Sequence, residues 1–169
     1  MTLDDLTKII PAATALVAVI VGPILQWKIA RRQSVDNISA KRQNWIDELR
    51  KDCAAFLQLS AKLEELRRPN PQSSLEDQKR TFEERAETNS KAHELFIRIR
   101  LRLNPNESDH IKLYELFGGL AAICKDPPPE ETEDDRKESA AAFHEQNNKI
   151  VSHLQAILKK EWERVKKGG

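Results

Sequence analysis

An arginine and a histidine flanking a short polar stretch are the residues of this chain best suited to chemistry. Arg102 is followed by Leu103, Asn104, Pro105, Asn106, Glu107, Ser108, Asp109 and then His110. A guanidinium holds a phosphate and an imidazole moves a proton, so the pair fits cleavage of a phosphodiester. Seven residues separate Arg102 from His110, and nine separate Arg100 from it. Asn104, Glu107 and Asp109 add polar atoms between them. The alternative is structural: Arg102 as a helix-end cation favoured by the dipole, His110 as a surface residue in a first helical turn. Arg98, Arg100 and Arg102 point in at least two directions on a helix. Salt bridges to the many glutamates explain them more simply than one phosphate clamp.

Other chemistries lack their residues. There is no Gly-rich phosphate loop, no nucleophile elbow and no H-E-x-x-H. His93, His110, His144 and His153 do not cluster, and no C-x-x-C occurs, so neither a metal site nor a cofactor is expected. Cys53 and Cys124 sit among apolar neighbours at helical spacing, which reads as free buried thiols in a reducing compartment.

The elements that must position the Arg–His pair are helical. Charged residues make up 33% of the 169, aromatics 5%, and only five are glycine, which favours long solvated helices over a sheet. The 28 basic and 27 acidic residues nearly cancel, which argues against direct nucleic-acid binding. Ile38 to Leu66 reads as one amphipathic helix, with Trp45, Leu49, Phe56, Leu59, Leu63 and Leu66 at spacings of three, four and seven. Ile46, Cys53 and Leu57 widen the stripe to suit a bundle. Pro69 and Pro71 end it. Ser73 with Glu76, or Ser74 with Asp77, opens a second helix to about Leu103. Its first half is highly charged. Its second half has two apolar stripes: Leu95, Phe96, Ile99 and Leu103 on one side, Ile97 and Leu101 on the other. Two stripes predict two neighbours, one in another subunit. Residues 97–103 also alternate with period two, a strand signature, but no partner strand exists elsewhere. Asn106 and Asp109 fit the cap of a third helix carrying Ile111 to Ile123, loosened or closely approached at Gly118-Gly119. Residues 125–135 form an acidic, proline-rich, mobile loop. A last helix from about Asp135 to Lys166 carries Phe143, Ile150, Val151, Leu154, Ile157, Leu158, Trp162 and Val165.

The chain begins differently. Ile9 to Trp27 is uncharged for nineteen residues, bracketed by Lys8 and Lys28. At about 1.5 Å per residue it reaches roughly 28 Å, the thickness of a bilayer core. Pro11 falls in a first turn, where its missing N–H costs nothing. Gly22-Pro23 should bend or loosen the helix, and Trp27 suits the interfacial belt. Ala15 and Gly22 belong to a set of small residues that let such helices pack on copies of themselves. Lys28, Arg31 and Arg32 are placed to contact lipid headgroups, and their charge puts the remainder on the cytoplasmic side of a bacterial inner membrane. The expectation is therefore all-α. A membrane-spanning helix and basic flank (1–33) precede a cytoplasmic antiparallel bundle of about four long helices (34–169).

Two stretches carry a resemblance. Arg42-Gln43-Asn44-Trp45-Ile46-Asp47-Glu48-Leu49-Arg50, just after an N-terminal span, and Leu103-Asn104-Pro105-Asn106-Glu107-Ser108-Asp109-His110 resemble a group of bacterial single-span proteins. The layout of most of the chain is similar to the membrane accessory proteins of type VI-B CRISPR systems, which have a degenerate HEPN-like helical domain. HEPN ribonucleases carry an Arg and a His at a shorter spacing than this one. The resemblance implies a homo-oligomer in membrane lipid, a pore or membrane effector of antiphage defence, and a protein partner from that system. It implies that Trp45, Ile46 and Leu49 pack the first helix beneath the membrane, and that Arg102 and His110 are structural remnants of a nuclease motif. Two alternatives remain: a membrane-tethered ribonuclease using Arg102 and His110, and a non-enzymatic scaffold that docks a partner on loop 125–135 and the charged half of the second helix.

Overall fold

The protein's computed structural model describes residues 3–67, 74–125 and 131–167, the side chains of residues 3–20, 34 and 35 excepted. In chain order the helices are α1 (Leu3–Leu66), α2 (Leu75–Arg102), α3 (Ser108–Ile123) and α4 (Glu133–Lys166). The described residues are otherwise turns and caps, so the fold is all-α with four helices. Ile97 to Arg102 are helical, and the period-two pattern there reflects two sides of α2 rather than a strand.

The four helices pack in antiparallel pairs. Lys62 pairs with Glu84 at one end of α1 and α2, and Arg98 with Asp52 nearer the other. Ser139 of α4 bonds Arg67 just past α1, and Glu161 lies 3.6 Å from Arg42. The core is built on Ile46, Leu49, Cys53 and Phe56 of α1, Ile99 of α2, Leu113, Phe117 and Leu120 of α3, and Ile150 and Ile157 of α4. Phe56 meets Phe117 edge-on at 5.1 Å between ring centres, a favourable arrangement for the ring quadrupoles.

Several boundaries differ from the sequence reading. α1 is one helix of 64 residues, roughly 96 Å at 1.5 Å per residue. It runs unbroken through Gly22-Pro23 and joins the residues before and after position 33 in one helix. A proline forfeits one backbone bond, which long flanking turns absorb, and no Gly or Pro follows it until Pro69. Ser74 is the N-cap of α2, accepting from the Asp77 N–H at 3.1 Å, whereas Ser73 is outside the described residues. Glu107, not Asn106, is the N-cap of α3 and makes no side-chain cap bond. Asn106 is instead held by its own N–H, which donates to Asn104 Oδ1. α4 begins two residues early because Thr132 and Asp135 close a capping box. Of the loop expected to be mobile, residues 126–130 are outside the description. Glu131, however, is fixed: its side chain is buried and bound to Arg67 and Arg136. On α2, Ile99 is buried, while Leu101 is 80% exposed and Ile97 is also exposed. The second apolar stripe is thus left uncovered by the described residues.

Candidate functional site

The structure brings Arg102 and His110 into one cleft of about 350 Å³. Arg102 is the last residue of α2 and His110 lies in the first turns of α3, so the turn at 103–107 folds one back on the other. The turn is closed by side chains. The Asn104 N–H donates to His110 Nδ1 at 2.9 Å, and the Asn104 amide donates to Glu107 at 3.1 Å. Trp45 of α1 donates its indole N–H to the Arg102 carbonyl at 2.9 Å, which satisfies a carbonyl left over at the end of α2. The Trp45 ring stacks on His110, with centres 5.7 Å apart. His110 is accordingly buried, not the surface residue of the structural alternative. Its burial follows from Trp45, which lies far away in sequence.

Arg102 is engaged by acids. Its Nε donates to Asp52 Oδ2 at 2.7 Å and its Nη2 to Glu48 at 3.1 Å. Asp52 is 1% exposed and also accepts from Arg98 at 2.5 Å. Arg98 and Arg102 are four apart on α2, so they do act on one group, an internal carboxylate. Arg100 points elsewhere and lies over the Tyr114 ring at 5.4 Å. The three arginines thus divide as their helical spacing requires.

This geometry limits the chemistry. Because Nδ1 accepts a backbone hydrogen bond, the His110 proton resides on Nε2. The ring then offers a donor to the cleft and no free base. Arg102 meets two carboxylates before any phosphate. Asp109 faces α4 instead, where a hydrogen bond from Lys160 at 2.9 Å holds its carboxyl below the usual range. Among the described residues no group of three or more His, Cys, Asp or Glu is placed to hold a metal ion. Cys53 and Cys124 are free and buried. Burial pushes the Cys53 thiol up to about 12 and the Cys124 thiol up to about 11, so neither is a nucleophile at neutral pH.

The N-terminal candidates are only partly described. The side chains of Pro11 and Ala15 lie outside the described residues. A Cβ at Gly22 would meet nothing within 4 Å among the described residues. Pro23, Trp27, Lys28, Arg31 and Arg32 are exposed, and the Arg31 guanidinium lies 5.6 Å from the Trp27 ring centre. Among the described residues no helix is long and apolar enough to cross a membrane. The expected span, residues 9–27, falls mostly on side chains outside that description.

No family model, curated protein or solved structure matches this chain. Its residues therefore carry the functional argument alone. The sequence reading missed Asp52, the acid that organises Arg98 and Arg102. A signal existed: Asp52 sits on the apolar side of α1 between Leu49 and Phe56, where an unpaired carboxylate would be costly. It missed Arg67 and Arg85 as staples too. Arg85 donates to the Leu63 carbonyl at 2.7 Å and the Cys124 carbonyl at 3.0 Å. Arg67 donates to the Ile123 carbonyl at 3.0 Å. Both arginines thus bind carbonyls at or near the ends of α1 and α3.

Proposed function

We propose that this chain is a membrane-anchored helical protein that self-assembles through the N-terminal half of α1, with its bundle on the cytoplasmic side of a bacterial inner membrane. The supporting observation is an uncovered helix. No described residue from 21 to 41 is buried, and Ile24, Leu25 and Trp27 are each more than half exposed at 51%, 53% and 61%. An apolar helix left bare on a monomer needs lipid or a copy of itself to cover it. Lys28, Arg31 and Arg32 follow at once, where anionic headgroups would meet them. Because α1 is continuous, the bundle turns and tilts with the anchor, a rigid coupling suited to a ring. A pore or membrane effector in antiphage defence is the specific form that the resemblance implies.

The mass of the full-length protein in mild detergent, beside a version beginning at Ser34, tests this. A defined oligomer that requires the first 33 residues is the expected result, followed by leakage of liposomes. A monomer in both cases would exclude the pore. A second reading, a tethered HEPN-like ribonuclease, has one observation in its favour: Arg102 and His110 share a cleft. RNA hydrolysis abolished by His110→Ala would favour it, and no hydrolysis by the folded wild-type protein would dismiss it.

A further inference from the structure

The cleft that holds Arg102 and His110 contains a second set of cations that their packing does not use. Lys41 and Arg42 of α1 and Arg164 of α4 line the same space. Two carboxylates face them, Glu107 and Glu161. Both are already committed: Arg164 binds Glu161 at hydrogen-bond distance and lies 3.7 Å from Glu107, which also accepts from Asn104. Arg42 reaches Glu161 only through Nε, at 3.6 Å. Its Nη1 is buried and has no hydrogen-bond partner. Lys41 is exposed and makes no ion pair among the described residues. The Arg42 Nη1 atom is closed to the cleft, but a cleft wall carrying more positive than negative groups asks for an anion.

We infer that this cleft binds a phosphate group, held by Arg42 and Lys41, with Arg164 and the His110 Nε2–H as further donors. Three features select a phosphate. Arg42 and Arg164 bring two guanidiniums to the lining of one cleft, the side-chain type whose donors match the oxygens of a tetrahedral oxyanion. The cleft, at about 350 Å³, has room for a phosphate with a small organic group. His110, with its proton on Nε2, supplies a donor and no competing acceptor, which suits an ionised oxyanion oxygen. Arg102 is peripheral here, since Asp52 and Glu48 neutralise it. Binding, with no bond made or broken, is the role this geometry fits. The phosphate could belong to a lipid headgroup or to a soluble ester. Arg42 stands ten residues beyond Arg32 along α1, about 15 Å at the helical rise. An upright α1 therefore sets the cleft beyond the headgroups, and a soluble phosphate ester is the expected source.

Equilibrium dialysis of the full-length protein in neutral detergent, against radiolabelled inorganic phosphate and then glycerol phosphate at constant ionic strength, tests the inference. Saturable binding of about one phosphate per chain is expected. Lys41→Gln should weaken it roughly twofold to fivefold, the effect of one exposed cation. Arg42→Gln should weaken it about tenfold or more, with circular dichroism confirming that the variant still folds. Lys159→Gln, an exposed lysine outside the cleft, should leave binding unchanged. Non-saturable uptake, or equal losses from Lys41→Gln and Lys159→Gln, would overturn the site. Vesicles then decide the source. If phosphatidylglycerol vesicles displace the bound phosphate and phosphatidylcholine vesicles do not, the site reads headgroups; if neither displaces it, the site reads a soluble ester.

Discussion

Replacing Asp52 with alanine should destabilise the bundle by about 2–4 kcal/mol. The number comes from the environment of the carboxylate. Asp52 is 1% exposed and accepts from two arginines. Removing one partner of a buried ion pair costs roughly 3–5 kcal/mol because the other charge is stranded. Here the stranded groups keep part of their water: Arg98 is 42% exposed and Arg102 is 28% exposed. Each also retains another acid, Glu94 for Arg98 and Glu48 for Arg102. Those two facts lower the estimate to the stated range. In urea, with a slope of about 2 kcal/mol per molar, the midpoint should fall by roughly 1–2 M at unchanged slope. Asp52→Asn keeps the size and one accepting oxygen, so it should cost about half as much. A double-mutant cycle of Asp52→Ala with Arg102→Ala should give a coupling of about 1–3 kcal/mol. A loss under about 1 kcal/mol for Asp52→Ala, or no coupling to Arg102, would refute the assignment of Arg102 as a structural partner of that acid. It would also free Arg102 for a ligand.

Other outcomes follow from the same contacts. His110→Ala should cost about 2–3 kcal/mol in urea unfolding, because it opens a space beside Trp45 and leaves the Asn104 N–H unpaired; a neutral effect would mean that the turn at 103–107 holds without it. Native protein at pH 8 should resist iodoacetamide, since the Cys53 and Cys124 thiols are raised to about 12 and about 11, and both should react in denaturant. Gly118→Ala should stabilise by roughly 0.5–1 kcal/mol because a helical glycine is replaced with no obstruction. Gly119→Ala should gain less, with both variants compared by thermal melting, because its Cβ would lie 2.7 Å from the Gln146 amide that donates to the Leu116 carbonyl. The Asp109–Lys160 pair gives a pH signature. Lys160 lowers the folded pKa of Asp109, so its stabilisation is present above the unfolded carboxylate pKa and is lost as pH falls through the folded one. The penalty of Lys160→Gln, measured by urea unfolding at neutral pH, should therefore vanish in strong acid.

The periodicity of the sequence determined the helices and their core. Leu49, Phe56 and Leu63 recur on one side of α1, and Phe143, Ile150 and Ile157 on one side of α4, because burying an apolar stripe against neighbours is what stabilises a helix of this composition. The prolines after Arg67 and the capping pair Ser74–Asp77 marked a chain reversal by local chemistry. Local signals were less reliable where tertiary contacts competed. Asn106 looked like a cap, yet Asn104 claimed its N–H; Gly22-Pro23 looked like a bend or loosening, and the helix runs on through it. Gly118-Gly119 looked loosened, and the close approach is by a glutamine side chain from α4.

The candidate site was legible only as two residue types at a suggestive spacing. Whether Arg102 is free or bound depends on Asp52 and Glu48, fifty and fifty-four residues away in α1. Whether His110 is a base depends on the direction of one backbone N–H, and its burial depends on the Trp45 ring. The cationic wall of Lys41, Arg42 and Arg164 exists only because α1 and α4 run antiparallel and meet at that level. Sequence alone determined which stretches coil and which sides turn inward, since those follow from the chain's own period and its local caps. The tertiary fold alone decided which charges meet, because ion pairing and tautomer are set by groups distant in the chain and close in space.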